Sequence, residues 1–265
     1  MIQIANILAT LLYALASLLL FIRLRQQQPL NKRGVLTGTL LILLIHGYGV
    51  YGLSITPSGF QLGFFAASSL IFWVINLLVL LSSLKKALHN LFILLFPLSA
   101  LAVLGSLLGH SAKPESLLGY PLASHVILSI LAYSLLTIAS LQALLLAYQH
   151  HQLKHKQSVG LVRLLPPLQT MESLLFELLW AGFALLTLAI SSGFYFLDDL
   201  FAQHLAHKTV FALAAWVIYA LLLWGRHQLG WRGYTAIRWT LVGFVLLMLA
   251  YFGSKLVLEL ILGRV

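Results

Sequence analysis

Long apolar runs separated by short polar segments extend along the whole 265-residue chain. Each run has about 18–25 residues, enough for a helix rising about 1.5 Å per residue to cross the hydrocarbon core of a bilayer. The runs are continuous rather than alternating, which excludes the strands of a membrane β-barrel. We therefore predict an all-α polytopic membrane protein, a bundle of eight transmembrane helices. The predicted spans are approximately 2–22, 35–53, 61–82, 91–108, 122–148, 172–196, 208–225 and 237–260.

The composition supports this prediction. Hydrophobic residues make up 61% of the chain and charged residues only 8%, whereas a soluble domain carries about 25% charged residues. Lipid must therefore be the solvent for much of the surface, and we predict one integral membrane domain over residues 1–265. We expect the lipid bilayer to be its permanent partner.

Charge and cysteine content exclude several functions. The formal net charge of +10 suggests nucleic-acid binding in a soluble protein, but here the basic residues occupy short segments between apolar runs. We therefore predict no nucleic-acid partner. The chain has no cysteine, so it forms no disulfide and attaches no haem through a C-x-x-C-H motif.

The basic residues also predict the orientation. Of the 16 Lys and Arg residues, 12 lie in the segments after spans one, three, five and seven. The positive-inside rule places these segments in the cytoplasm. Both termini then lie outside, together with His110, His125 and the polar segment 197–208.

The first candidate site residue is His125, at the predicted outer end of span five. His125, Ser129 and Tyr133 recur every four residues and so share one face of a helix. One hypothesis is an imidazole ligand that points into an outward-facing cleft. The alternative is an interfacial histidine held by a loop carbonyl.

His207 begins span seven at the same predicted surface. Two histidines on different helices suit the ligation of a haem iron from both faces, so we predict His125 and His207 as the metal ligands. Lys208 is then a candidate partner for a propionate, and residues 198–199, both Asp, for orienting an imidazole. The alternative is an ordinary solvated loop.

His46 is the third candidate, about 11 residues into span two and so near the bilayer midplane. An ionisable residue at that depth suggests a functional site. Gly47 and Gly49 would allow another helix or a flat ligand to approach closely. The alternative is a neutral histidine hydrogen-bonded between helices.

The last half of the chain carries a family resemblance, over roughly 122–255. In addition to His125 and Ala132-Tyr133, it rests on several short motifs. These are Gly182-Phe183-Ala184-Leu185-Leu186-Thr187, Ser192-Gly193, Lys208-Thr209, Trp216, Arg226, Gly230-Trp231-Arg232-Gly233, Gly243-Phe244 and Tyr251-Phe252-Gly253. Together they resemble the cytochrome c assembly family of CcsA-type, CcmC-type and HemX-like membrane proteins.

The resemblance implies haem as cofactor and handling of haem at the outer face, with other cytochrome c assembly proteins as partners. In the family a tryptophan-rich loop and flanking histidines perform this role. Here the segment 194–206 contains no tryptophan, Trp224 stands where the family has an intramembrane histidine, and only His125 matches a ligand position. The chain is therefore similar to the divergent HemX-like or YpjD-like branch.

From these features we predict a haem-binding accessory protein of cytochrome c biogenesis or haem homeostasis. We assign no catalytic residue and favour a role other than enzyme. Two alternatives remain open: a transporter of a small solute or haem precursor that uses His46, and a non-catalytic membrane scaffold.

Overall fold

Helices account for almost all of the structure, which is a computed structural model. It describes residues 1–26, 28, 31–56, 59–60, 63–86, 88–109, 120–155, 162, 165–196 and 206–253. Within these residues, eight helices are long and apolar enough to cross a membrane. This confirms the predicted helical architecture with eight candidate spans, whereas the outward placement of both termini stays a prediction.

The helix boundaries follow the hydropathy pattern closely. The eight helices are α1 (Ile2–Arg25), α2 (Lys32–Ser54), α3 (Phe64–Lys85), α4 (Phe92–Leu108), α5 (Tyr120–Lys154), α6 (Leu168–Phe196), α7 (Ala206–Gln228) and α8 (Tyr234–Met248). A 3₁₀ turn, His89–Leu91, precedes α4, and a π-helical turn, Leu249–Gly253, follows α8.

Two connections differ from the sequence prediction. Helix α5 continues through the polar residues 149–154, because glutamine, leucine and lysine are good helix formers and no proline interrupts them. The predicted turn between α2 and α3 contains a small antiparallel hairpin, in which β1 (Ile55–Thr56) pairs with β2 (Gly59–Phe60). The predicted end of span eight, 254–260, lies outside the described residues.

The chain divides into two compact units, each described by itself here. The first consists of Met1–Leu117 and Gln152–Pro166 and contains α1 to α4. Helix α1 packs against α2 and α4, and α3 packs against the same two helices, which gives a closed four-helix bundle. The predicted extents of a single domain and of an assembly-like core stay predictions.

Polar side chains join the helices of the first unit. Asn76 of α3 donates from Nδ2 to Ser99 Oγ of α4 at 2.6 Å, and the Trp73 indole donates to the Leu43 carbonyl of α2 at 2.9 Å. Lipid supplies no hydrophobic driving force between helices, so such bonds and close packing hold helices together in a membrane.

The second unit consists of Leu118–His151 and Pro167–Val265 and contains most of α5 with α6, α7 and α8. Helix α7 packs against α6, α8 and the π-helical turn. Helix α5 reaches α6 through the Gln142 amide, which donates to the Met171 carbonyl at 3.1 Å. This unit carries the resemblance motifs and the candidate site.

The motif Gly230-Trp231-Arg232-Gly233 is a structural turn between α7 and α8. Gly230 and Gly233 have φ angles of 65° and 54°, a region that favours glycine. Trp231 folds back so far that a Cβ on Gly225 would stand 2.5 Å from its ring. The indole also stacks on Trp239, with the ring centroids 5.3 Å apart. Backbone geometry therefore explains Gly230 and Gly233, and close packing against Trp231 explains Gly225.

Candidate functional site

A cavity of about 210 Å³ opens at one end of the second unit, where α5 and α7 begin and α6 and α8 end. Each of the four helices contributes side chains to its wall. Most of the lining is apolar, and the polar groups come from His125, Ser129, Tyr133, Lys208, Thr209 and Tyr251. Under the predicted topology this is the outer end of the unit.

The three residues predicted to share one face of α5 do so. His125, Ser129 and Tyr133 all line the cavity, as their four-residue spacing requires. Lys208 lines the same cavity from the start of α7. The structure thus brings together two of the predicted site residues, His125 and Lys208, which are far apart in sequence.

The hydrogen bonds of His125 determine which ring nitrogen carries the proton. Nδ1 lies 2.9 Å from the Ala189 carbonyl oxygen and 3.1 Å from Ser192 Oγ. A carbonyl only accepts hydrogen bonds, so Nδ1 must be the donor. The Ser192 hydroxyl donates its own hydrogen to the same Ala189 carbonyl at 2.8 Å and therefore also accepts from Nδ1. In the neutral imidazole, Nε2 then carries the lone pair.

This arrangement is the one in which histidine binds metals. A metal-ligating histidine usually donates its other ring N–H to a carbonyl or carboxylate, which fixes the ring orientation and raises the basicity of the ligating nitrogen. Here the backbone carbonyl of Ala189 takes that role. The Ala189 carbonyl belongs to helix α6 and not to a loop, and both the ligand hypothesis and the interfacial alternative for His125 stay predictions.

Gly193 makes room for the ring. A Cβ at this position would stand 3.1 Å from His125 Cε1 and 3.4 Å from Nδ1, closer than side chains normally pack. The Ser192-Gly193 motif therefore has two separate roles on α6. The serine accepts a hydrogen bond from the imidazole, and the absence of a side chain on the glycine lets the ring lie against the helix backbone.

Several predicted site residues cannot be compared with this geometry. Residues 110–119 and 197–205, with His110 and both aspartates, lie outside the described residues, as does the side chain of His207. The backbone of His207 belongs to the first turn of α7, one residue before Lys208. The pairing of His125 with His207 stays a prediction.

His46 lies in the first unit and is fully buried. Its Nδ1 shares a hydrogen bond with the Tyr13 hydroxyl at 3.1 Å, and its Nε2 shares one with Ser69 Oγ at 3.0 Å. It therefore links α1, α2 and α3. Side chains of neighbouring helices pack against the two glycines beside His46. The Trp73 indole lies against Gly47, and the Asn6 amide lies against Gly49.

Sequence reasoning missed the residues that support the site. Ala189 contributes only its carbonyl, and no side-chain pattern points to a backbone acceptor. Leu247, Ala250 and Tyr251 form part of the cavity wall at the end of α8, where the apolar run predicts an uninterrupted α-helix.

Trp216, one of the residues that carry the family resemblance, lies outside the described cavity lining. It donates from Nε1 to the Thr187 hydroxyl at 2.9 Å.

Comparison with known proteins covers most of the chain. Residues 34–262 match the family described as Cytochrome C assembly protein. The inner membrane protein YpjD of Escherichia coli is 39% identical over 137 residues, which are 52% of this chain and 52% of that protein. A 28.8 kDa protein of Azospirillum brasilense is 34% identical over 143 residues, with the same two coverages.

More distant similarity reaches the cytochrome c biogenesis protein CcsA of Chlamydomonas reinhardtii, 26% identical over 142 residues, or 52% of this chain and 38% of that protein. The chain thus spans about half the length of the curated relatives it matches. No solved structure matches the chain. The family match extends well beyond the predicted core and includes every residue of the cavity lining, and it confirms the resemblance: this chain belongs to the cytochrome c assembly protein family.

Proposed function

We propose that this protein is a haem-binding accessory protein of cytochrome c biogenesis or haem homeostasis in the bacterial inner membrane. The observation that carries the proposal is the His125 imidazole, which lines a largely apolar cavity. Its Nδ1 is held by Ala189 and Ser192, which leaves the lone pair of the neutral ring on Nε2. His125 would hold bound haem, which would supply an iron for the imidazole to coordinate.

The other residues of the cavity fit a haem-like ligand. The aromatic rings of Phe194 and Tyr251 and several aliphatic side chains offer a surface for an apolar macrocycle. Lys208 offers a cation to a carboxylate. A volume of about 210 Å³ is smaller than the roughly 300–1,000 Å³ that encloses a drug-sized ligand, which favours partial enclosure of a planar molecule over complete burial.

The tautomer of His125 also limits the alternatives. A nitrogen with a lone pair binds a metal or accepts a hydrogen bond, and it offers no proton to a carbonyl or carboxylate.

The names of the relatives also support the proposed function. One is named an inner membrane protein and another a cytochrome c biogenesis protein, so membrane-bound assembly proteins are the expected partners.

The test compares haem with iron-free protoporphyrin IX, using the full chain purified in a mild detergent. We expect ferric haem to give a Soret band that saturates at about one equivalent. We expect protoporphyrin IX to bind at least about tenfold more weakly, because it lacks the metal that His125 would ligate. Detergent without protein is the control. No saturable Soret band, or equal affinity for both ligands, would overturn the proposal.

Lys208 gives a second prediction, about the carboxylates of the ligand. Lys208→Met is expected to weaken haem binding about fivefold, which corresponds to an ion pair of roughly 1 kcal/mol. Haem dimethyl ester, which has no free carboxylate, should bind the variant and the unaltered protein equally. Lys154→Met, at an exposed position outside the cavity lining, is the matched control. Equal weakening for haem and its ester would show that Lys208 does not contact a carboxylate.

A further inference from the structure

The π-helical turn after α8 contributes to the wall of the cavity. Helix α8 ends at Met248, and Leu249–Gly253 continues as a π-helical turn. Leu247, Ala250 and Tyr251 from this region line the cavity. In such a turn each N–H bonds to the carbonyl five residues earlier, so the side chains that follow are rotated relative to an α-helix. The turn therefore decides which side chains face the cavity.

Tyr133 of α5 holds this turn. Its hydroxyl donates to the Leu247 carbonyl, at the point where α8 changes into the π-helical turn. The widened turn disturbs the regular pairing of carbonyls with the N–H four residues later, and a tyrosine hydroxyl supplies a donor there. Tyr133 is 8% exposed and Leu247 is 1% exposed, so water does not replace this bond readily.

Ring contacts extend the same connection. The Tyr133 ring packs edge-on against Tyr251, with centroids 5.6 Å apart, and against Phe252 at 6.5 Å. Tyr251 and Phe252 pack against each other at 5.2 Å. The hydroxyl thus fixes the backbone of the turn, and the ring fixes the position of Tyr251.

From these contacts we propose that Tyr133 is a positioning residue for the ligand of this cavity. It lies two helical turns from His125 on the same face of α5, so one helix carries both the ligating imidazole and the residue that sets the opposite wall. Tyr133 holds the Tyr251 ring in the wall of the cavity that His125 also lines and would thereby orient a planar porphyrin held by His125. This inference rests on the proposed function.

The test uses two tyrosine-to-phenylalanine variants of the full chain. Tyr133→Phe keeps the ring and removes the bond to the Leu247 carbonyl. Tyr219→Phe is the matched control, because Tyr219 is also a buried tyrosine of the second unit but lies outside the described cavity lining. Each variant is titrated with haem, and its thermal stability is measured in the same detergent.

We expect Tyr133→Phe to bind haem roughly two- to tenfold more weakly, the range that one hydrogen bond contributes, with a broadened or shifted Soret band. Tyr219→Phe should retain the affinity and the band position. In Tyr133→Phe, and not in Tyr219→Phe, amide hydrogen exchange should accelerate in residues 247–253. A general loss of stability would accelerate exchange in other segments as well.

The outcomes separate the two proposals. If the unaltered protein binds haem and Tyr133→Phe keeps its affinity and band, the positioning role is wrong while the proposed function stands. If both variants lose affinity and thermal stability in parallel, Tyr133 is merely structural and the inference also falls. If the unaltered protein gives no saturable Soret band, both proposals fall together.

Discussion

Replacement of His125 by glycine is expected to abolish saturable haem binding and its Soret band. The substitution removes the Nε2 lone pair and leaves an apolar wall with no described imidazole in it. Loss of a residue that merely orients a metal ligand costs about 10–100-fold in affinity, so loss of the ligand itself should exceed about 100-fold. Haem titration followed by absorption at the Soret band measures the effect.

Added imidazole provides the sharpest control for this variant. His125→Gly leaves a space that imidazole can occupy beside Ala189 and Ser192, so the Soret band should return when imidazole is added. His227→Ala, at an exposed position near the other end of α7, should bind haem like the unaltered protein. Retention of the full affinity by His125→Gly without imidazole would refute the role of His125.

The same titration tests the predicted second ligand. If His207 ligates the iron opposite His125, His207→Ala should convert a six-coordinate low-spin spectrum into a five-coordinate high-spin one while retaining the haem. An unchanged spectrum would remove His207 from the site and leave His125 in place.

The architecture was predictable from the sequence because the hydropathy of the long apolar runs determines most of it. An apolar run of about 20 residues has few choices other than a membrane-spanning helix. The face of α5 that carries His125, Ser129 and Tyr133 was predictable for a similar reason, since a four-residue spacing places side chains together on a helix. Both features depend on residues that are close in sequence.

The site was only half predictable because the rest of it depends on pairs that are distant in sequence. The acceptors for His125 are 64 and 67 residues away, and one of them is a backbone carbonyl. The bond from Tyr133 to Leu247 spans 114 residues. No local pattern marks the π-helical turn either, because its apolar residues suit an α-helix equally well.

His46 illustrates a different difficulty. Its depth in an apolar run predicted either a functional site or a histidine bonded between helices. In the structure, His46 Nδ1 shares a hydrogen bond with the Tyr13 hydroxyl and Nε2 shares one with the Ser69 hydroxyl. Only the neighbouring helices reveal that both nitrogens have partners. The observed contacts give His46 a structural role, and its part in binding or transport stays an untested prediction.

Arg226 and Glu172 form an ion pair that the sequence did not reveal. Arg226 Nη1 lies 3.0 Å from Glu172 Oε1 and also donates to the Trp231 carbonyl at 3.2 Å. The guanidinium stacks on the Phe176 ring at 4.4 Å. In the sequence, Arg226 is one of the basic residues that predict the orientation of the spans. These contacts show that it also links α6, α7 and the turn before α8.

Glu172→Ala is therefore expected to destabilise the protein strongly. The side chains of Arg226 and Glu172 are only 25% and 11% exposed, so the variant would leave a largely buried guanidinium without its carboxylate. Breaking one partner of a buried pair costs about 3–5 kcal/mol. Because this pair is only partly buried, we expect the lower end, about 3 kcal/mol. That corresponds to a fall of roughly 6–12 °C in the midpoint of thermal unfolding in detergent.

A double-mutant cycle separates the pair from its surroundings. Glu172→Gln and Arg226→Gln should each destabilise the protein, and the double variant that combines them should lose less stability than the sum of these single changes, since neither charge is then left alone. Arg238→Gln, which removes an exposed arginine near the start of α8, should leave the unfolding midpoint almost unchanged. Additive effects in the cycle would mean that Glu172 and Arg226 stabilise the helix ends separately, with Arg232, whose Nε lies 3.8 Å from Glu172, as the carboxylate's effective partner.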